Sequence, residues 1–209
     1  MPPIDNIIVD KEVIEKSIAR KILQICLDNN IYVEFYTLDD YFIHADRESD
    51  ITKKHFLVLQ REPKKLQDIV TESEKFEITK IMPIALNAED KLHVAQILNP
   101  FKEKLSISWG AHPVILPLQI GIITAPESSK KEGSIAVAKS LSISFEDILG
   151  IGDSTSDWSF MELCGYAATL ENGSRELKDL IKQKGENKYF IGKSVDENGI
   201  LDILSHFKL

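Results

Sequence analysis

The stretch ILGIGDSTSDWSFMELCG, residues 148–165, decides how this chain reads. It opens with a short apolar strand over 148–151, turns at Gly152 and Asp153, and passes into a helix over 157–164. The carboxyl end of a strand in an open parallel sheet is where ligands collect, and Asp153 stands there. Asp157 follows four residues later, so one helical face can present both carboxylates to a common point. A hard cation such as Mg²⁺ takes one or two carboxylates, with waters and phosphate oxygens completing its shell. The same letters also serve a purely structural role. Asp153 or Ser154 caps a helix well, and Asp157 suits its first turn.

Outward from this stretch the pattern alternates strictly. Helices are expected over 130–142, 157–164, 174–183 and 198–207, with strands over 148–151, 166–170 and 188–191. Short apolar strands between helices indicate parallel strands buried on both faces, here half of a doubly wound sheet. The earlier residues read differently. Residues 12–29 carry Val13, Ile14, Ile18, Ile22, Leu23, Cys26 and Leu27 at helical spacing. IYVEFYT (31–37) alternates with period two, and YFIHAD (41–46) follows a turn, so a hairpin is expected. Helices over Pro63–Glu74 and Ala88–Leu98, with strands KIMPIAL (80–86) and LSISW (105–109), complete an α+β layer. Residues 112–126, with Pro113, Pro117 and Pro126, read as the crossing between domains. The expected division is therefore an α+β domain over 1–115 and an α/β domain over 116–209.

Composition narrows the function. The 209 residues carry 25 Lys plus Arg against 33 Asp plus Glu, a formal charge of −8. A phosphate-backbone binder needs a basic face, so a nucleic-acid partner is not expected. A small phosphorylated ligand remains compatible, because one local cation and a metal override the global sign. No apolar run reaches membrane-spanning length, and the N-terminal letters lack a basic region followed by an apolar stretch. Cys26 and Cys164 are too few for a disulfide framework and read as buried thiols of a cytoplasmic protein. His44, His55, His93 and His206 show no ligand spacing, which leaves zinc chemistry without a basis.

Taken together, several motifs fall in a specific order: Ser129-Lys130-Lys131, then Gly152-Asp153-Ser154-Thr155-Ser156-Asp157, Cys164-Gly165, Asn172-Gly173 and Asn198-Gly199-Ile200. This order resembles the C-terminal core of the haloacid dehalogenase (HAD) superfamily, in particular its Cof-like sugar-phosphatase branch. The earlier residues resemble that branch's α/β cap. The resemblance implies a HAD-type, Rossmann-like parallel-sheet core, incomplete here, with an α+β cap that selects the substrate. It implies Lys130 as catalytic and phosphate-binding, Asn172 as phosphate-binding, Asp153 and Asp157 as metal-binding, and Mg²⁺ as cofactor. Counting back from Leu141 favours Lys130 over Lys131 as the motif lysine. Two departures stand out: Ser156 where the branch has Asn, and Lys131 where it has Gly.

A third departure bears on activity. The family opens with an apolar strand ending Asp-x-Asp-Gly-Thr, whose first Asp is the nucleophile and second the general acid/base, followed by a strand ending in Thr or Ser. Neither motif occurs here. IIVDKE offers Asp10 and Glu12, and VEFYT offers Thr37, but the spacing is short and the Gly-Thr turn is missing. The expectation is a chain that begins just past the second motif. It would be a scaffold for Mg²⁺-dependent hydrolysis of phosphorylated sugars or other small phosphometabolites, inactive by itself, paired with a second copy or a separate N-terminal fragment. A non-catalytic phosphate- and metal-binding protein, or a phosphomutase of the same architecture, is the alternative.

Overall fold

Two sheets organise the chain in the computed structural model, which describes residues 8–209. The reading of residues 1–7 as free of a secretory signal lies outside the described residues. One unit comprises Lys11–Ser128 and the other is built on Ser129–Leu209.

The first unit begins with helix α1 (Lys16–Asp28), which buries Ala19, Ile22, Leu23 and Cys26 on one stripe. Strands β1 (Tyr32–Tyr36) and β2 (Tyr41–His44) form the expected antiparallel hairpin, closed by Thr37 N–H donating to Asp40 O at 2.9 Å. Helix α2 (Asp50–Leu59) starts at a reciprocal cap between Ser49 and Thr52. Then come β3 (Lys64–Leu66), α3 (Ile69–Glu72), β4 (Lys80–Ala85), α4 (Ala88–Leu98), β5 (Ser106–Gly110) and β6 (Gln119–Thr124). The sheet order is β3-β2-β1-β4-β6-β5, antiparallel throughout except for β2 and β3. One face packs Phe35, Phe42, Ile81 and Ile123 against α1, α3 and α4 residues such as Leu23, Ile69 and Leu98.

Three expectations change here. The helix over 63–74 is a three-residue strand followed by a short helix, because Lys64–Leu66 pairs with the edge of β2 and Asp68 caps α3 through Val70 and Thr71 N–H. Helix α2 was not anticipated. Residues 119–124 are a strand inside the sheet, paired with both β4 and β5, and no crossing. The boundary therefore falls between Ser128 and Ser129 instead of after 115.

The second unit is the parallel-sheet core that the alternation predicts. Helix α5 (Lys130–Leu141), strand β7 (Leu149–Gly152), a 3₁₀ turn (Thr155–Asp157), helix α6 (Trp158–Met161), β8 (Tyr166–Leu170), α7 (Arg175–Ile181), β9 (Tyr189–Gly192) and α8 (Gly199–Phe207) follow in order. The sheet runs β7-β8-β9, all parallel. Met161, Leu177 and Ile181 cover one face at Ala167, and Ile203 covers the other at Ala168 and Leu170. Among the described residues, no helix is long and apolar enough to cross a membrane.

Candidate active site

Strand β7 delivers Asp153 to the carboxyl end of the core sheet, and glycine allows it. A Cβ on Gly152 would lie 2.4 Å from the Asp157 Cβ and 2.7 Å from the Met161 sulfur. Only a bare backbone lets the start of α6 lie this closely on the strand.

Asp157 is the hub of the turn. Its Oδ2 accepts from Asp153 N–H at 3.0 Å, Ser154 N–H at 3.1 Å and Ser154 O–H at 3.2 Å, while Oδ1 accepts from the Lys130 ammonium. The Asp157 side chain is 5% exposed and that of Lys130 62%. Burial alone pushes the Asp157 carboxyl up. The Lys130 hydrogen bond, the Ser154 and Asp153 N–H groups and the Lys130 charge overcome this and hold it well below the usual carboxylate range. Asp157 is therefore an ion at neutral pH, held in one orientation.

Asp153 differs in every respect. It is exposed, and its carboxylate has no hydrogen-bond or ion-pair partner among the described residues. Its carbonyl accepts from Ser174 N–H at 2.8 Å, which ties the turn after β8 to the turn after β7. Asn172 stands in that second turn, but its Oδ1 accepts from Val195 N–H at 3.1 Å, leaving the side-chain NH₂ as its free donor. Lys131 is elsewhere, 4.0 Å from Glu162 Oε1.

The structure thus brings Lys130, Asp153 and Asp157 to one turn, with Asn172 in the neighbouring loop. It gives Asp157 a further role beside the one expected of it: accepting from N–H, O–H and ammonium donors, it orders the turn. Asp153 has both oxygens free of protein donors among the described residues. A cation that accepts one protein carboxylate and otherwise water and phosphate oxygens fits that donor set. No cluster of three or more His, Cys, Asp or Glu forms among the described residues. Ser154, one of the two residues expected as a cap, does cap the turn, in a capping box with Asp157.

Two further features frame the site. Among the described residues, β7 stands at the edge of its sheet. A groove of about 630 Å³ lies in the same unit, lined by Val137, Leu141, Ile143, Ile148 and Phe160, with Lys130 also on its wall. In the first unit, Tyr32 and Tyr36 are not free aromatic surface. Their hydroxyls donate to fully buried Glu34 at 3.1 and 2.7 Å, and His55 Nδ1 stands 2.9 Å from the same carboxylate.

The family model for haloacid dehalogenase-like hydrolase matches residues 3–204. The chain is 24% identical to 5-amino-6-(5-phospho-D-ribitylamino)uracil phosphatase YwtE of Bacillus subtilis (strain 168), over 92% of this chain and 70% of that protein. Its fold is similar to TM0651 from Thermotoga maritima, with a TM-score of 0.78 and 16% identity over 97% of this chain and 70% of that one. It is also similar to the HAD subclass IIB sugar phosphatase BT4131, with a TM-score of 0.68, 16% identity and the same coverage.

Proposed function

The chain belongs to the haloacid dehalogenase-like hydrolases, in their Cof-like branch, and from that premise we propose that the turn after β7 is the phosphate- and cation-binding half of a phosphomonoesterase acting on sugar phosphates or similar small phosphometabolites. The observation that carries this is the Lys130–Asp157 ion pair beside the Asp153 carboxylate, which has no partner among the described residues. Lys130 brings a compact positive charge to a phosphoryl oxygen, where it stabilises charge building in the transition state. Asp157 fixes that ammonium and, through the Asp153 and Ser154 N–H groups, the backbone that displays Asp153. Asp153 would hold Mg²⁺, which when bound neutralises phosphate charge. The Asn172 NH₂ would donate to a further phosphate oxygen. YwtE, named for a phosphoribityl compound, and BT4131, named as a sugar phosphatase, support the substrate class.

In-line phosphoryl transfer of this kind also needs a nucleophilic carboxylate. The 209 residues contain no Asp-x-Asp-Gly-Thr. We propose that this chain alone turns over little or no phosphomonoester, since residues that act as one unit lose activity together. The edge that β7 presents among the described residues, with its apolar groove, suits a nucleophile-bearing strand from a separate polypeptide, or pairing with a second copy. Two buried thiols suit a reducing compartment such as the cytoplasm.

The test has two arms. Mg²⁺ and inorganic phosphate are titrated against the chain by calorimetry, with Asp153→Asn and Lys130→Ala as controls. Binding abolished by either substitution is expected, and binding indifferent to both removes the proposal. Turnover of p-nitrophenyl phosphate is measured in parallel. Robust turnover abolished by Asp153→Ala would overturn the inactivity of the chain and return Asp10 as the nucleophile. Phosphate binding without turnover, by the chain and by its assemblies, would mark it as a non-catalytic binder.

A further inference from the structure

The turn that carries Asp153 and Asp157 is held from behind as well as from the front. Helix α6 has only four residues, and its chain continues through Glu162, Leu163 and Cys164 in single turns before Gly165. The carbonyls at this end are the negative pole of the segment. Lys184, arriving from the 3₁₀ turn after α7, donates to two of them, Glu162 O at 2.8 Å and Cys164 O. Its ammonium also lies 5.6 Å from the centre of the Trp158 ring, the residue directly after Asp157. Lys184 thus touches both ends of the segment. Burial pulls the Lys184 ammonium below the usual lysine range, with Cys164 and Glu162 drawing it back up.

What makes this contact matter to the site is the absence of slack. The segment lies directly on β7, where the missing Gly152 side chain leaves Asp157 and Met161 against the strand backbone. A tilt of α6 therefore moves Asp157 relative to the Asp153 and Ser154 N–H groups it accepts from. We infer that Lys184 is a positioning residue for the phosphate- and cation-binding turn, acting through α6 to keep the Asp157 carboxylate on the Asp153 and Ser154 amides and on Lys130. The inference rests on the functional reading of that turn above, and nothing in the sequence motif points to this lysine, which lies 20 residues past Cys164.

Amide hydrogen exchange on the full chain tests it without requiring activity. In Lys184→Met, which keeps the stem and removes the charge, the Asp153 and Ser154 amides are expected to exchange about tenfold faster, while Ala168 in β8 keeps its protection. Lys184→Arg, which retains a multiply donating cation, is expected to restore most of it. Unchanged exchange at Asp153 and Ser154 overturns the inference. So does an equal acceleration at Ala168, which would make Lys184 a contributor to global stability only. Should Lys184→Met not fold, the same comparison is made with Lys184→Gln. Mg²⁺ titration of the parent chain is read separately, so a failure of the functional proposal leaves this outcome interpretable.

Discussion

Replacing Asp157 by Ala is the sharpest perturbation of the core turn, and the structure fixes its expected size. The change deletes the acceptor of two backbone N–H groups, one serine hydroxyl and one ammonium. Hydrogen bonds to a charged group contribute about 1.5–3 kcal/mol each, and loss of a helix-capping acceptor costs about 0.5–2 kcal/mol. The two backbone bonds therefore dominate. The Ser154 hydroxyl already shares a 2.8 Å contact with Ser156 and can keep it. Lys130, with its side chain 62% exposed, adds no more than about 1 kcal/mol. Because the bonds share one carboxylate they do not sum, and the expected loss is about 3 kcal/mol. The chain has two tryptophans, Trp109 and Trp158. In a Trp109→Phe background, Trp158 reports on the core unit alone, and urea titration followed by its emission gives the difference. Lys130→Ala in the same background is expected to cost less than about 1 kcal/mol. If Asp157→Ala stays within about 0.5 kcal/mol of its parent, the usual range for surface substitutions, the turn is not held by this carboxylate. If Lys130→Ala costs as much as Asp157→Ala, the ion pair and not the backbone clamp is decisive.

Acid supplies a second check. Asp157 is depressed in the folded state, so the unfolded chain takes up its proton first as pH falls. The stability gap between the parent and Asp157→Asn should hold steady from neutrality down to the ordinary carboxylate range, about pH 4, and narrow below it; a gap that widens on acidification would reverse the sign of the argument. Gly165→Ala should be severely destabilising, because the new methyl would lie 2.0 Å from the Glu146 carbonyl oxygen and force backbone to move. Thermal melting should show a loss at or above about 3 kcal/mol, and a melting temperature near the parent's would contradict the packing described. In the first unit, His55→Leu removes the nitrogen partner of the buried Glu34 side chain and should cost about 1–3 kcal/mol. Glu34→Gln, which keeps an acceptor oxygen for the Tyr32 and Tyr36 hydroxyls, should cost less, with Trp109 as reporter in a Trp158→Phe background.

How much of this was readable beforehand differs between the two units. In the second, each strand pairs with the next along the chain, so local alternation was enough, and the order Lys130, Asp153, Asp157, Asn172 fell into place at one end of the sheet. In the first, pairing is non-local. QIGIIT reads as a linker because prolines flank it, yet it lies between strands whose letters occur up to 42 residues earlier in the chain, as in Ile81 opposite Ile123. The three-residue strand Lys64–Leu66 has no periodicity to detect, and only its place beside β2 makes it a strand. At the site, spacing brings the two aspartates to one turn, but it does not show which donors each carboxylate meets. An i, i+4 pair of carboxylates looks alike whether the second faces a cation or its own backbone, and the difference lies in donors that sequence spacing does not reveal.

The position of Gln119–Thr124 between β4 and β5 also governs how the chain can be divided. A cut after residue 115 would strip out a strand paired on both sides, leaving two raw edges of apolar ladder open to indiscriminate association. The sheet cannot be complete until the chain has been made through Thr124. Anyone wishing to produce the first unit separately should therefore carry it through Ser128, where the chain passes from one fold to the other without tearing a sheet.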